Sequence, residues 1–128
     1  MKFKRALILW CCLLLSSCSA ANYLTEADVI SIQKKIDLND PLHSMCSSLF
    51  LNKKDVVTYY TVAEEVDAGD FAYNAIILPC SYRGEIKVKG ALFRWEIYAG
   101  GSAFLYSDKE SRRYLCRNQC CSHFSTLC

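Results

Sequence analysis

The 128-residue sequence has neither a G-x-x-x-x-G-K-[ST] loop nor a G-x-G-x-x-G turn, so no phosphate-cradling fold can be read from it. It lacks a G-x-S-x-G elbow, the signature of an α/β-hydrolase nucleophile. Histidine is scarce: His43 and His123 are the two present, and no hydrolase constellation stands out around them. Internal repeats and low-complexity segments are missing. So is a run long enough to span a bilayer. The apolar stretch Ala6 to Leu15 is about half of the roughly 20 residues a crossing helix needs. Finally, there is no excess of one charge. Lys+Arg number 15 against 13 Asp+Glu, and without Lys2, Lys4 and Arg5 the balance is 12 against 13. A nucleic-acid binder would be clearly basic, so nucleic acid is excluded as the expected partner.

The N-terminus carries a specific pattern. Lys2, Lys4 and Arg5 precede the apolar run, and Ser16, Ser17, Cys18, Ser19 and Ala20 follow it. Charge, a short apolar core and then small residues is the layout of a secretory signal. Within it, Leu15-Ser16-Ser17-Cys18 resembles a lipobox, the processing site of bacterial prolipoproteins. That resemblance covers only the export signal. It implies that the Cys18 thiol receives a diacylglycerol, that the chain is cut before Cys18, and that the new N-terminus is acylated. It also implies residues 1–17 as signal peptide, 18–23 as a lipidated tether and 24–128 as one domain. Ser19 beside the lipidated cysteine implies, by the sorting rule of that class, the periplasmic face of the outer membrane. Cleavage after Ala20 by an ordinary signal peptidase is the alternative reading of the same small residues.

Cysteine usage agrees with export. Nine cysteines are far more than a reduced cytosolic chain of this size carries. Cys11 and Cys12 leave with the signal and Cys18 is the lipid site. Cys46, Cys80, Cys116, Cys120, Cys121 and Cys128 remain, an even set that predicts three disulfides. Six cysteines allow 15 pairings. Excluding a strained Cys120–Cys121 vicinal bond leaves 12. The C-terminal cluster with His123 offers a competing zinc reading, but the paired knuckle of a zinc ribbon is missing. Disulfides are the expected state, with no metal and no cofactor.

The coarse fold reads as α+β. Thr25 and Asp28 suit a helix start, Leu24 and Val29 a staple around it, and Val29, Ile32 and Ile36 an apolar stripe. This predicts an N-terminal helix ending near Leu38, before Asn39-Asp40-Pro41. A second short helix is expected from about Pro41 to Leu51, carrying Cys46, so that the two form a helix pair. The β-branched and tyrosine-rich segment Val56 to Val62 predicts a strand, Asp67 to Asp70 a turn, and Phe71 to Cys80 the returning strand. Glu85 to Lys89 alternates and meets Gly90, a hairpin. Phe93, Trp95 and Ile97 then share one face, with Arg94 and Glu96 on the other. Gly100-Gly101 is another turn, Ala103 to Tyr106 a strand, Ser107 to Ser111 a loop and Arg113 to Cys116 a last strand. The whole is an N-terminal helix or helix pair packed on an antiparallel meander of about five or six strands, stapled by disulfides at roughly 2–4 kcal/mol each.

No catalytic set stands out. Glu64, Glu65 and Asp67 are acidic neighbours of a turn, better read as solvated than as a glycosidase pair. Tyr59, Tyr60, Tyr73, Tyr82, Tyr98 and Tyr106 fall in or beside expected strands; packing against loops and the disulfide-bound tail is their first reading, while any on an uncovered sheet face would favour protein or glycan contact. Lipobox, tether and small disulfide-linked domain are similar in format to periplasmic lipoproteins that inhibit lysozyme or confer immunity to secreted toxins. That similarity implies a non-enzymatic binding protein, anchored to the membrane by lipid and facing a protein partner in the periplasm. The Asp67–Asp70 turn and the turn at Gly100, Gly101 and Ser102 are the candidate binding loops. An accessory lipoprotein of an envelope assembly is the alternative.

Overall fold

A computed structural model describes residues 23–128; the segment expected to be an export signal, and Cys18 with it, lie outside the described residues. The described chain is α+β. Six strands form one antiparallel sheet: β1 (Gln33–Ile36), β2 (Glu64–Val66), β3 (Cys80–Val88), β4 (Ala91–Tyr98), β5 (Ser102–Tyr106) and β6 (Ser111–Leu115). Their order is β1-β3-β4-β5-β6-β2. The central four make the expected meander, and β1 and β2 close its two edges. Two helices, α1 (Lys53–Val62) and α2 (Ala68–Asn74), lie between β1 and β3 in the chain.

The meander follows from the alternation in the sequence. Ile86 pairs with Phe93, Gly84 with Trp95 and Tyr82 with Ile97, so these residues share one face. Leu105 and Ala103 extend that face across β5. Ile86, Trp95, Ile97 and Ala103 are essentially inaccessible. Gly90, Gly100 and Gly101 adopt positive φ at the two hairpin turns, where a side chain would be strained.

The N-terminal helix predicted from Thr25 does not form. The Thr25–Asp28 capping box is present, but it starts a single 3₁₀ turn, Glu26–Asp28. Val29 is then buried and bridges to Ile86, and residues 33–36 run as β1 along β3. Local propensity lost to pairing: β3 offers a free edge, and filling it satisfies backbone groups that a lone amphipathic helix would have satisfied internally. Gly84 permits this, because its missing side chain lets the Ser31 backbone lie against β3. The second expected helix is there in shortened form, as the 3₁₀ turn His43–Ser48 carrying Cys46.

The strand expected at Val56 to Val62 is instead α1. Asn52 caps it, accepting from the Asp55 N–H at 2.9 Å, while the Asp55 carboxylate accepts from the Asn52 N–H at 2.9 Å. That reciprocal box stabilises a helix start by about 1 kcal/mol. Val56, Tyr59, Tyr60 and Ala63 recur at helical spacing and turn toward the core. Burial of that stripe outweighs the strand propensity of valine and tyrosine. Likewise the strand expected from Phe71 is α2, with Asp67 as its cap, accepting from the Asp70 N–H at 2.8 Å.

The core lies between the sheet and a cover made of α1, the segment around Leu49 and Leu51, and the C-terminal tail through Leu127. Tyr59 donates to the Gly101 carbonyl at 2.6 Å and Tyr60 to the Phe104 carbonyl at 2.7 Å, so α1 is hydrogen-bonded to the sheet as well as packed on it. Lys34 reaches the carbonyls of Cys46 and Leu49 at 2.8 and 2.7 Å, neutralising the C-terminal end of the 3₁₀ turn. Three disulfides finish the frame. Cys46–Cys80 ties the cover to β3, while Cys116–Cys120 and Cys121–Cys128 fold the tail on itself. Cys120 and Cys121 do bond to different partners.

Candidate functional site

The second face of the sheet is the region left partly open. Antiparallel register places Lys35 beside Ser81, Arg83 beside Glu96 and Arg94 beside Tyr106. All of these point away from the core. One end is covered by α2, where Phe71 packs on Phe104 with ring centroids 4.8 Å apart, and Phe104 in turn lies 6.3 Å from Tyr98. Beyond Tyr98, Ser81 is still buried, while Arg83, Glu85 and Arg94 are exposed.

Glu96 sits at the middle of this surface. Its two oxygens accept from Ser81 Oγ at 2.7 Å and from the Tyr98 hydroxyl at 2.8 Å. Partial burial holds the Tyr98 phenol above its ordinary range, and the hydrogen bond to the Glu96 carboxylate adds to the shift. The triad is therefore a fixed polar floor: a hydroxyl donor, a carboxylate and a phenol locked in one geometry. A groove of about 610 Å³ opens above it, walled by residues 35–40 and 77–81 and lipped by exposed Leu38 and Ile77. At the opposite rim, the Arg94 guanidinium stacks over the Tyr106 ring at 4.9 Å.

The residues singled out from sequence sit elsewhere. Asp67 and Asp70 belong to the start of α2 and not to a free turn. Asp70 accepts from Arg117 at 2.8 and 3.1 Å and from Asn74 at 2.8 Å, while Glu64 accepts from the same guanidinium at 2.8 and 2.9 Å. The Arg117 hydrogen bonds hold both carboxylates below their usual range. Arg117 thus joins β2, α2 and the chain after β6. Gly100, Gly101 and Ser102 form the expected turn, but it is not a presented loop. Ile76 lies over Gly100, Cys116 and Cys128 flank Gly101, and Ser102 is 1 % exposed. The Gly100 N–H donates to Leu127, so the tail closes over the turn.

No family model, no curated protein and no solved structure matches this chain. The site is therefore read from its own chemistry.

The cysteine cluster places Cys116, Cys121 and Cys128 sulfurs within 4.8 Å of one another, but each is engaged in a disulfide. A disulfide sulfur carries no thiolate charge and is a poor metal donor. His123 is exposed at the end of the last 3₁₀ turn, and His43 contacts the Asp40 carbonyl through Nδ1 at 2.8 Å.

Sequence alternation found Arg94 and Glu96 as the outward pair of β4, and it placed Tyr98 and Tyr106 beside strands. It missed Ser81, Arg83 and Lys35 as their neighbours, since register between distant strands is not written locally. Of the other tyrosines, Tyr59, Tyr60 and Tyr82 belong to the core, and Tyr73 stands exposed on α2.

Proposed function

We propose that this protein is an exported lipoprotein, anchored through Cys18 at the periplasmic face of the outer membrane, that acts as a non-enzymatic binding protein of the inhibitor or immunity type. The observation that carries the reading is the pairing of all six cysteines beyond Cys18 in three disulfides. Such a frame is built in an oxidising compartment, which agrees with the secretory signal read from residues 1–17. The open sheet face supports the binding role. Its groups are set by strand register and by the Ser81–Glu96–Tyr98 hydrogen bonds, so little ordering entropy is lost on contact.

Two measurements test this. The mature protein isolated from membranes should have the mass of an acylated chain beginning at Cys18, and its six remaining cysteines should alkylate only after reduction; Cys18→Ser should abolish the lipid. A photo-crosslinking amino acid placed at position 83, on the open face, should yield a discrete protein adduct in whole cells. The same residue at position 53, at the start of α1, should not. A lipid-free mass removes the anchor. A missing adduct at position 83 removes the binding role of this face.

A further inference from the structure

The described chain starts at one end of the sheet. Tyr23 and Leu24 border the same hollow as Val88, Lys89 and Gly90, the tip of the β3–β4 hairpin. From there the chain runs antiparallel along β3. Val29 bridges to Ile86, the Ile30 N–H donates to the Glu85 carbonyl at 2.9 Å, and β1 continues to Ile36 beside Cys80. The groove above Ser81, Glu96 and Tyr98 therefore lies at the opposite end, where β3 begins. From Cys80 to Val88 the strand separates the two ends by about 26 Å, at roughly 3.3 Å per residue. The hairpin tip stands clear of the body: nothing lies within 4 Å of where a Gly90 side chain would be, and Tyr23 and Leu92 are exposed. Charges of both signs meet at this end. Lys87, Lys89 and Lys109 stand against Glu26, Asp28 and Glu85, and Arg94 and Arg112 pair with Asp108 and Glu110.

We infer that the β3–β4 hairpin end rests on the bilayer that holds the Cys18 lipid, with the groove turned away from the membrane; this rests on the lipoprotein reading above and gives it an orientation. The reason is covalent reach. Cys18 to Tyr23 is five residue steps, and a fully extended chain covers about 17 Å in that number. For the groove end to face the bilayer, Tyr23 would have to stand about 26 Å or more above it, beyond that reach. The tether lets the domain tip but not invert. What then meets the lipid suits a headgroup layer. Exposed Tyr23 is an amphipathic ring of the kind enriched at membrane interfaces, and Leu92 offers apolar surface. Lys87 and Lys89 can lay their stems on that surface and keep their ammonium groups in water. With charges of both signs, the contact needs no anionic lipid, and a phosphatidylcholine surface suffices. A partner of the groove therefore approaches from the aqueous side, clear of the headgroups.

The test places the mature acylated protein, its lipid first verified by intact mass, in phosphatidylcholine nanodiscs doped with a lipid carrying a nitroxide on its headgroup. Amide signals are compared before and after the nitroxide is reduced with ascorbate. Tyr23, Lys89, Gly90 and Leu92 should lose about half or more of their intensity, while Leu38 and Ile77, about 26 Å further from the surface, should keep about nine-tenths of theirs. The Cys18→Ser chain, secreted through an ordinary signal and mixed with the same discs, should show no selective loss, since the tether is what holds the hairpin down. Uniform loss across the domain, or loss at Leu38 and Ile77 equal to that at Gly90, overturns the orientation and leaves the anchor standing. Hairpin broadening in Cys18→Ser overturns the tether as its cause. A lipid-free mass removes the anchor itself, and the orientation with it.

Discussion

Removing the three disulfides one at a time should cost unequal amounts, and the order follows from the connectivity. Cys46–Cys80 spans 34 residues, Cys121–Cys128 spans 7 and Cys116–Cys120 spans 4. The chain-entropy relation gives about 3.8, 2.4 and 1.9 kcal/mol respectively for the freedom each bridge denies the unfolded chain. Cys46 and Cys80 are 0 % and 3 % exposed, so paired alanines also leave a small buried void, worth about 1 kcal/mol more. Cys46→Ala/Cys80→Ala should then lose about 4–5 kcal/mol, a third or more of the stability of a domain this size. The loss has a structural route as well. This bridge fastens the 3₁₀ turn His43–Ser48 to the first residue of β3, and with it the segment that leads into α1. Urea unfolding of the three paired-alanine variants, compared as free energies extrapolated to water, measures the order. Midpoints alone would mislead, because opening a loop expands the denatured chain and changes the slope. If Cys121→Ala/Cys128→Ala or Cys116→Ala/Cys120→Ala proves more damaging than Cys46→Ala/Cys80→Ala, the entropic reasoning is wrong for this fold.

Two further outcomes are expected. Gly84→Ala puts a methyl inside the van der Waals envelope of the Ser31 carbonyl and forces the N-terminal segment off β3, endangering the Ile30–Glu85 and Glu85–Ser31 hydrogen bonds, both 2.9 Å. Overpacking and two weakened bonds together should cost about 3–4 kcal/mol, and a urea curve within about 0.5 kcal/mol of the parent would refute this. The phenols of Tyr59 and Tyr60 are held well above the ordinary tyrosine range, chiefly by burial. Folded phenols therefore keep protons that the unfolded chain gives up above about pH 10. Their stabilisation is complete below that pH and drains as pH rises, reaching about 1.4 kcal/mol each by pH 11. Tyr59→Phe should halve the pH dependence that the pair contributes, and an unchanged loss between pH 7 and pH 11 would refute the assignment.

Short-range patterns determined a definite part of this protein. The hairpin at Gly90 and the inward set Phe93, Trp95 and Ile97 follow from alternation between adjacent strands and two tight turns. The even set of six cysteines forecast three bridges, although 12 pairings stayed open until distant residues were brought together. The Thr25–Asp28 box was read correctly as a cap, yet its helix stops after one turn because β3 had an edge to fill. Val56 to Val62 was misread for the opposite reason. Its β-branched residues spoke for a strand, while the Asn52–Asp55 box and the helical spacing of Val56, Tyr59 and Tyr60 decided for α1. Both signals were present locally, and the packing of that stripe against the sheet chose between them. The open face was least legible. Lys35, Ser81 and Glu96 become neighbours only through the pairing of β1, β3 and β4. Sequence carries the period of each strand, but which strands lie side by side is fixed by the burial and hydrogen bonding of the whole chain at once.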